Sequence, residues 1–238
     1  MYGSSGIRLA MGYGGGGPPS PYTSVLSELG YDFLFVDGNC HYWAHQPSVV
    51  VDELAQWRPY REGVLAPVDE QRLHDAVSYD GVPTDACAPP EPVFDAGAAF
   101  LWNGREGSPC ADDIYVASGS LRLELYEAAT AVTGPMRIQV GKDSYPDPRV
   151  VYDWPLAMPV EQFVIDYEET TSFRVDDVAA VAALRSLREQ VMAGAEASPA
   201  AFPGLVAIRS SGSNETYYMS MRDELPFVDA DGRWQPAP

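Results

Sequence analysis

The densest group of side chains able to do chemistry lies between Asp37 and His45, where Asp37, Cys40, His41 and His45 place four metal-ligating residues close together. A zinc site needs three or four such groups converging on one point. Along a strand successive side chains alternate between faces, so Cys40 and His41 would point apart and only His41 and His45 would share a side. His74 is the only other histidine in the chain. Two ligands on one face do not make a site, and no metal or other cofactor is expected.

Nucleophilic catalysis calls for a Ser or Cys beside a base that is itself oriented by an acid. The chain has no Gly-x-Ser-x-Gly elbow and no cysteine-centred family signature, and its 3 histidines leave few candidates for the base. A carboxylate pair such as Asp166 and Glu168 carries little information among 34 acids, whose ordinary place is a solvated surface. The run from Gly12 to Gly17 lacks the Lys-Ser/Thr of a phosphate loop. Asp229-Ala230-Asp231-Gly232 opens like a calcium loop without the later ligands and reads as a turn. Asn214-Glu215-Thr216 has the form of a glycan acceptor, which matters only in a glycosylating host. No catalytic residue is nominated. Tyr42, Trp43, Trp57 and Tyr60 gather aromatic area in the first third of the chain, either as core or as an exposed patch suited to a protein or carbohydrate.

Charge narrows the partners. Asp and Glu outnumber Lys and Arg by 34 to 15, a net charge of −19, so nucleic acids and anionic lipid surfaces are repelled at long range. That acidity serves solubility, or it steers a cationic partner. No apolar stretch has the length of a membrane helix, so no membrane insertion is expected. With 238 residues, 46% of them hydrophobic, the chain is long enough to bury about 70% of its unfolded surface and needs no metal or disulfide to hold a core.

The elements that must position any site follow from hydrophobic period and turn chemistry. Residues 1–21, rich in Gly and Pro, read as a flexible leader, either an ordinary tail or a tether downstream of an export signal, and residues 22–238 as a single domain. Tyr31–Val36 and Asn39–Trp43 flank Asp37-Gly38, a two-residue hairpin signal that sets Phe35 opposite Cys40 and Phe33 opposite Tyr42. Pro67 with Asp69 and Glu70 opens a helix to about residue 78 whose apolar side holds Leu73, Ala76 and Val77. Residues 79–91, interrupted by prolines, form a surface connection, and Ala98–Trp102 begins a second hairpin turning at Asn103-Gly104. Over residues 112–129 a helical stripe through Leu121 and Leu125 competes with a strand alternation, and helix is preferred.

Further strands are expected at Met136–Val140, Val150–Tyr152 and Gln162–Tyr167. The clearest helix runs from Val178 to Ala193, capped by Asp176 and stopped by Gly194, with Val181, Leu184, Leu187 and Val191 inward and Arg185, Arg188 and Glu189 outward. Leu205–Ser210 and Thr216–Met221 form a last hairpin. Hairpins outnumber helices, which predicts an α+β fold: an antiparallel sheet built from hairpins with about three helices packed on one face.

These observations point to a noncatalytic interaction module outside the cytoplasm, periplasmic or secreted, with a protein as partner. A hydrolase-type enzyme whose site is assembled from dispersed residues and a structural envelope component are the alternatives, as is a cytoplasmic location; the oligomeric state is open. The cysteines bear on the compartment. Cys40 is expected as a buried thiol among Phe33, Phe35 and Tyr42, whereas Cys87 and Cys110 sit in proline-rich connections on either side of the second hairpin, free to reach disulfide geometry. Closing that loop would contribute about 3 kcal/mol. In protein isolated from its native compartment, mass spectrometry of a nonreduced digest is expected to show a Cys87–Cys110 crosslinked peptide; three alkylatable thiols would refute the pairing and favour a cytosolic chain.

Overall fold

The computed structural model describes residues 7–14, 32–45, 57–77, 97–102, 105–106, 118–142, 150–164, 173–195, 205–210, 212 and 214–225. Where the sequence suggested one domain over residues 22–238, the chain divides into two compact units: Met1–Gln46, Tyr60–Val132 and Pro226–Pro238 form the first, Pro47–Pro59 and Thr133–Leu225 the second.

The first unit is built on strands β1 (Ile7–Gly14), β2 (Asp32–Asp37), β3 (His41–His45), β4 (Arg61–Val64), β5 (Gly97–Trp102), β6 (Arg105–Glu106) and β7 (Thr130–Ala131), with helices α1 (Pro67–Val77) and α2 (Gly119–Ala128). Its seven-stranded sheet has the order β6-β5-β1-β2-β3-β4-β7, antiparallel throughout. Ile7–Gly14, inside the stretch read as a flexible leader, is a strand between β2 and β5. Glycine weakens a strand without forbidding it, because the ladder bonds are made by backbone.

Strand β2 carries four consecutive apolar residues and buries all of them, the pattern of a strand covered on both faces. Leu34 and Val36 join Leu9, Tyr42, Ala44, Leu73, Leu121 and Leu125 in one cluster. On the other face Phe33 meets Phe35, His45 and Tyr60 at ring-centroid distances of 5.0, 5.9 and 4.9 Å. Two contacts fix α2 in this unit. The Tyr42 hydroxyl donates to the Leu125 carbonyl at 2.9 Å, and the Arg61 guanidinium lies over the Tyr126 ring while donating to the carbonyls of Tyr126, Glu127 and Ala129. A cation among the last carbonyls complements the negative end of a helix. Gly63 makes room for the Tyr42 ring, since a Cβ there would come within 2.6 Å of it.

The β2–β3 register differs from expectation. Phe35 pairs with Trp43 and Phe33 with His45, because the loop is Gly38-Asn39-Cys40 rather than Asp37-Gly38. Cys40 takes φ of 63° and the Asp37 carboxylate accepts from the backbone N–H groups of Asn39 and His41, both at 2.8 Å. A three-residue loop ending in a left-handed residue is a regular hairpin alternative, here held by the Asx bonds. Cys40 accordingly sits half-buried in the loop, packed against the cluster that holds Leu34, Val36 and Tyr42 rather than on a strand beside Phe33 and Phe35.

The second unit contains β8 (Met136–Gly141), β9 (Tyr152–Asp153), a single 3₁₀ turn (Val160–Gln162), β10 (Phe173–Val175), α3 (Val178–Ala195), β11 (Val206–Arg209) and β12 (Thr216–Asp223). Its sheet has the order β10-β8-β12-β11-β9, antiparallel except for the β9–β11 pair. Met136, Ile138, Val140, Ile208 and Met219 pack with Val181, Leu184, Leu187 and Val191 of α3, and Trp57 joins the same cluster at 1% exposure. Residues 160–162 turn instead of starting the strand expected at 162–167; Val164 makes one parallel bridge to Val140, and residues 165–172 lie outside the described set. Asp177, not Asp176, caps α3, its carboxylate accepting from the Ala180 N–H at 2.9 Å, and the helix passes Gly194 to Ala195.

Among the described residues, three helices and two sheets dominated by antiparallel pairing make an α+β fold. The apolar stripe of α3 gives the direct test of its orientation. Leu184 is fully buried and Val178 is 83% exposed, so Leu184→Ala is expected to cost about 2–5 kcal/mol in denaturant titration and Val178→Ala less than about 0.5 kcal/mol.

Candidate functional site

In the second unit, residues with the helical spacing of α3 fall on two sides. Val181, Leu184, Leu187 and Val191 go into the core, while Val178, Ala182, Ser186 and Glu189 stay exposed. Beside the exposed row runs the Thr133-Gly134-Pro135 turn that leads into β8, and between them lies a cleft of about 460 Å³. Val178, Val181, Ala182 and Pro135 give it apolar walls; Asp176, Arg185 and Glu189 are its charged groups.

Arg185 holds the two walls together. Its guanidinium donates to the Thr133 carbonyl at 3.2 Å and the Gly134 carbonyl at 2.8 Å, and reaches Asp223 at 3.4 Å. Arg188 contributes a stronger bond to the same acid, 2.6 Å, with Asp223 2% exposed. The placement of Arg188 on the wet side of the helix is therefore corrected: its stem follows the buried stripe and its charge meets a buried carboxylate. Next in the chain, Glu224 accepts from Arg137 at 2.6 Å and from Arg174 at 2.7 Å. Four arginines thus converge on two adjacent acids.

Protonation equilibria are displaced elsewhere. A hydrogen bond to Glu215, followed by burial, pushes the Tyr217 phenol up to about 12. Burial raises Tyr152, and burial with the nearby Asp69 charge raises Tyr42. Hydrogen bonds from Lys142 and Tyr217 lower Glu215, and the Arg72 guanidinium lowers Glu124. None of these groups lines the cleft.

The candidates drawn from sequence disperse. Asp37 spends its carboxylate on the hairpin loop, His41 is exposed, and His45, four residues further along β3 and so about 13 Å away, is fully buried beside Phe33 and Tyr60. Among the described residues no group of three or more His, Cys, Asp or Glu side chains is arranged to hold a metal ion. Cys87, Cys110, Asp166, Glu168 and residues 229–232 lie outside the described residues. Tyr42, Trp43, Trp57 and Tyr60 are all buried and belong to cores, not to an exposed patch. Among the described residues no helix is long and apolar enough to cross a membrane. Sequence reasoning missed the cleft and the arginine–carboxylate cluster, although the spacing Val181, Leu184, Arg188, Val191 does place Arg188 on the inward row. Neither a family model, nor a curated protein, nor a solved structure matches the chain.

The displaced tyrosine gives a pH test with a defined sign. A phenol whose folded-state value is raised from 10 to about 12 stays protonated while the unfolded chain ionises, so its stabilising contribution is complete below pH 10 and is lost as pH rises towards 12. Denaturation midpoints are expected to fall over that window, and Tyr217→Phe to fall less steeply; equal slopes would show that Tyr217 ionises as freely in the fold as outside it.

Proposed function

We propose that the protein is a noncatalytic interaction module outside the cytoplasm and that the cleft between α3 and the Thr133-Gly134-Pro135 turn is its contact surface. The carrying observation is the composition of that cleft: apolar walls on α3 and on the segment leading into β8, with its one arginine bonded to neighbouring carbonyls and Asp223. An enzyme site would bring titratable groups with displaced protonation together inside a cavity. Here the displaced groups stand away from the cleft, and the charged side chains within it serve the scaffold or rim. Val178, exposed at the mouth, offers apolar area that water does not favour and a partner side chain would cover. A negative field from a net charge of −19 raises the encounter rate with partners of opposite sign.

Selection from a peptide library without charge bias tests this reading. Ala182 is exposed in the cleft wall, so Ala182→Trp fills the cleft without entering the core. Enriched peptides are expected to bind the parent protein and to lose at least tenfold in affinity on Ala182→Trp. Enrichment of nothing, or binding indifferent to Ala182→Trp, would remove the cleft from consideration.

A further inference from the structure

We infer that the cleft takes an extended basic segment of another protein, one carrying two cationic side chains about five residues apart with small apolar residues between them; this rests on the cleft being the contact surface. The length comes from the helix. At about 1.5 Å per residue, the row from Val178 to Glu189 spans roughly 16 Å, which an extended chain covers in about five residues at 3.3 Å each.

The ends of that row set the charge. Asp176 stands just before α3 and Glu189 three turns along it, both exposed and both lining the cleft. Neither has an ion-pair partner among the described residues, in contrast to Asp223 and Glu224, which are bonded to arginines. Arg185, the cation between them, has three of its five N–H donors turned to two backbone carbonyls and Asp223, so much of its charge is already matched within the fold and less of it is offered to an anionic ligand. A Lys or Arg side chain meets no such obstacle: its methylene stem lies along Val178, Val181 and Ala182 and its charge reaches an exposed carboxylate. Between the two acids the wall is lined by Val178, Val181 and Ala182, which suits small apolar side chains such as Ala or Val. The chain-wide excess of acid favours the same sign at long range.

Fluorescence anisotropy with two labelled peptides, Lys-Ala-Val-Ala-Val-Lys and its charge-reversed form Glu-Ala-Val-Ala-Val-Glu, decides the matter. The lysine peptide is expected to bind at least tenfold more tightly than the glutamate peptide at low salt and to weaken as salt is added. The double variant Asp176→Asn with Glu189→Gln is expected to weaken the lysine peptide about tenfold, from two surface ion pairs. Ala182→Trp is expected to abolish binding. If both peptides bind alike and Ala182→Trp removes both, the cleft stands and the charge inference is overturned. The charge inference fails in the same way if library-selected peptides remain sensitive to Ala182→Trp while the lysine peptide does not bind. If the lysine peptide binds but ignores Ala182→Trp, neither the cleft nor its cationic occupant survives.

Discussion

The second unit is organised around two neighbouring carboxylates at the end of β12. Asp223 pairs in register with Met136, on the face that packs against α3, and there it receives Arg188 and Arg185. Alternation along the strand sends Glu224 to the opposite face, where Arg137 and Arg174 meet it. A dipeptide therefore joins the helix to one side of the sheet and ties β8 to β10 on the other. Asp223 is 2% exposed and Glu224 9%. Removing Asp223 would leave the buried Arg188 guanidinium without its carboxylate, a loss of about 3–5 kcal/mol. The position of Arg185 follows from this arrangement, and with it the width of the cleft, because the same guanidinium that touches Asp223 also holds the carbonyls of Thr133 and Gly134.

In the first unit the corresponding constraint is a sheet apolar on both faces. Once Phe33, Leu34, Phe35 and Val36 are consecutive, no orientation of β2 leaves one face to water. Leu73 of α1 and Leu121 and Leu125 of α2 join the cluster on one face, and the Phe33–Phe35–His45–Tyr60 group fills the other. Gly63 and Tyr42 show how close the fit is, since the ring occupies the space a side chain at position 63 would need. Burial on both faces is also why Tyr42, Trp43 and Tyr60 contribute packing here, while Trp57 is buried in the core of the second unit.

Local signals carried far in this chain where the element could be decided by its own residues. Helix α1 begins at the predicted proline, α3 buries the predicted stripe, and β5 and β6 pair in the register that a two-residue turn at Asn103-Gly104 demands. Failures came where a side chain or a distant strand overrode the local pattern. Asp-Gly reads as a two-residue loop until the Asp37 carboxylate takes two backbone N–H groups; the loop then starts at Gly38 and holds three residues, which moves each β3 partner of β2 three residues along, from Cys40 to Trp43 for Phe35 and from Tyr42 to His45 for Phe33. The division into two sheets, with Trp57 buried in the core of the unit that otherwise starts at Thr133, depends on contacts far apart in sequence that no local period encodes.

The cleft belongs to that second kind of fact. Nothing in Thr133-Gly134-Pro135 or in Ala182 signals a binding surface, and the two are brought together by the packing of α3 on β8 and by Arg185, which reaches the Thr133 and Gly134 carbonyls and an acid 38 positions later. The charge distribution, by contrast, has a cause visible in composition. With 15 basic residues against 34 acidic ones, the described ion pairs engage Arg72, Arg137, Lys142, Arg174, Arg185 and Arg188 with acids of the same chain. Each cation neutralised internally leaves the remaining carboxylates to set the outward potential, and those beside an apolar wall act on a partner differently from those elsewhere. Beyond about 10 Å salt screens all of them alike; at contact, only carboxylates next to a surface that also favours methylene groups discriminate a lysine or arginine side chain from a small cation. Asp176 and Glu189 stand at such a surface.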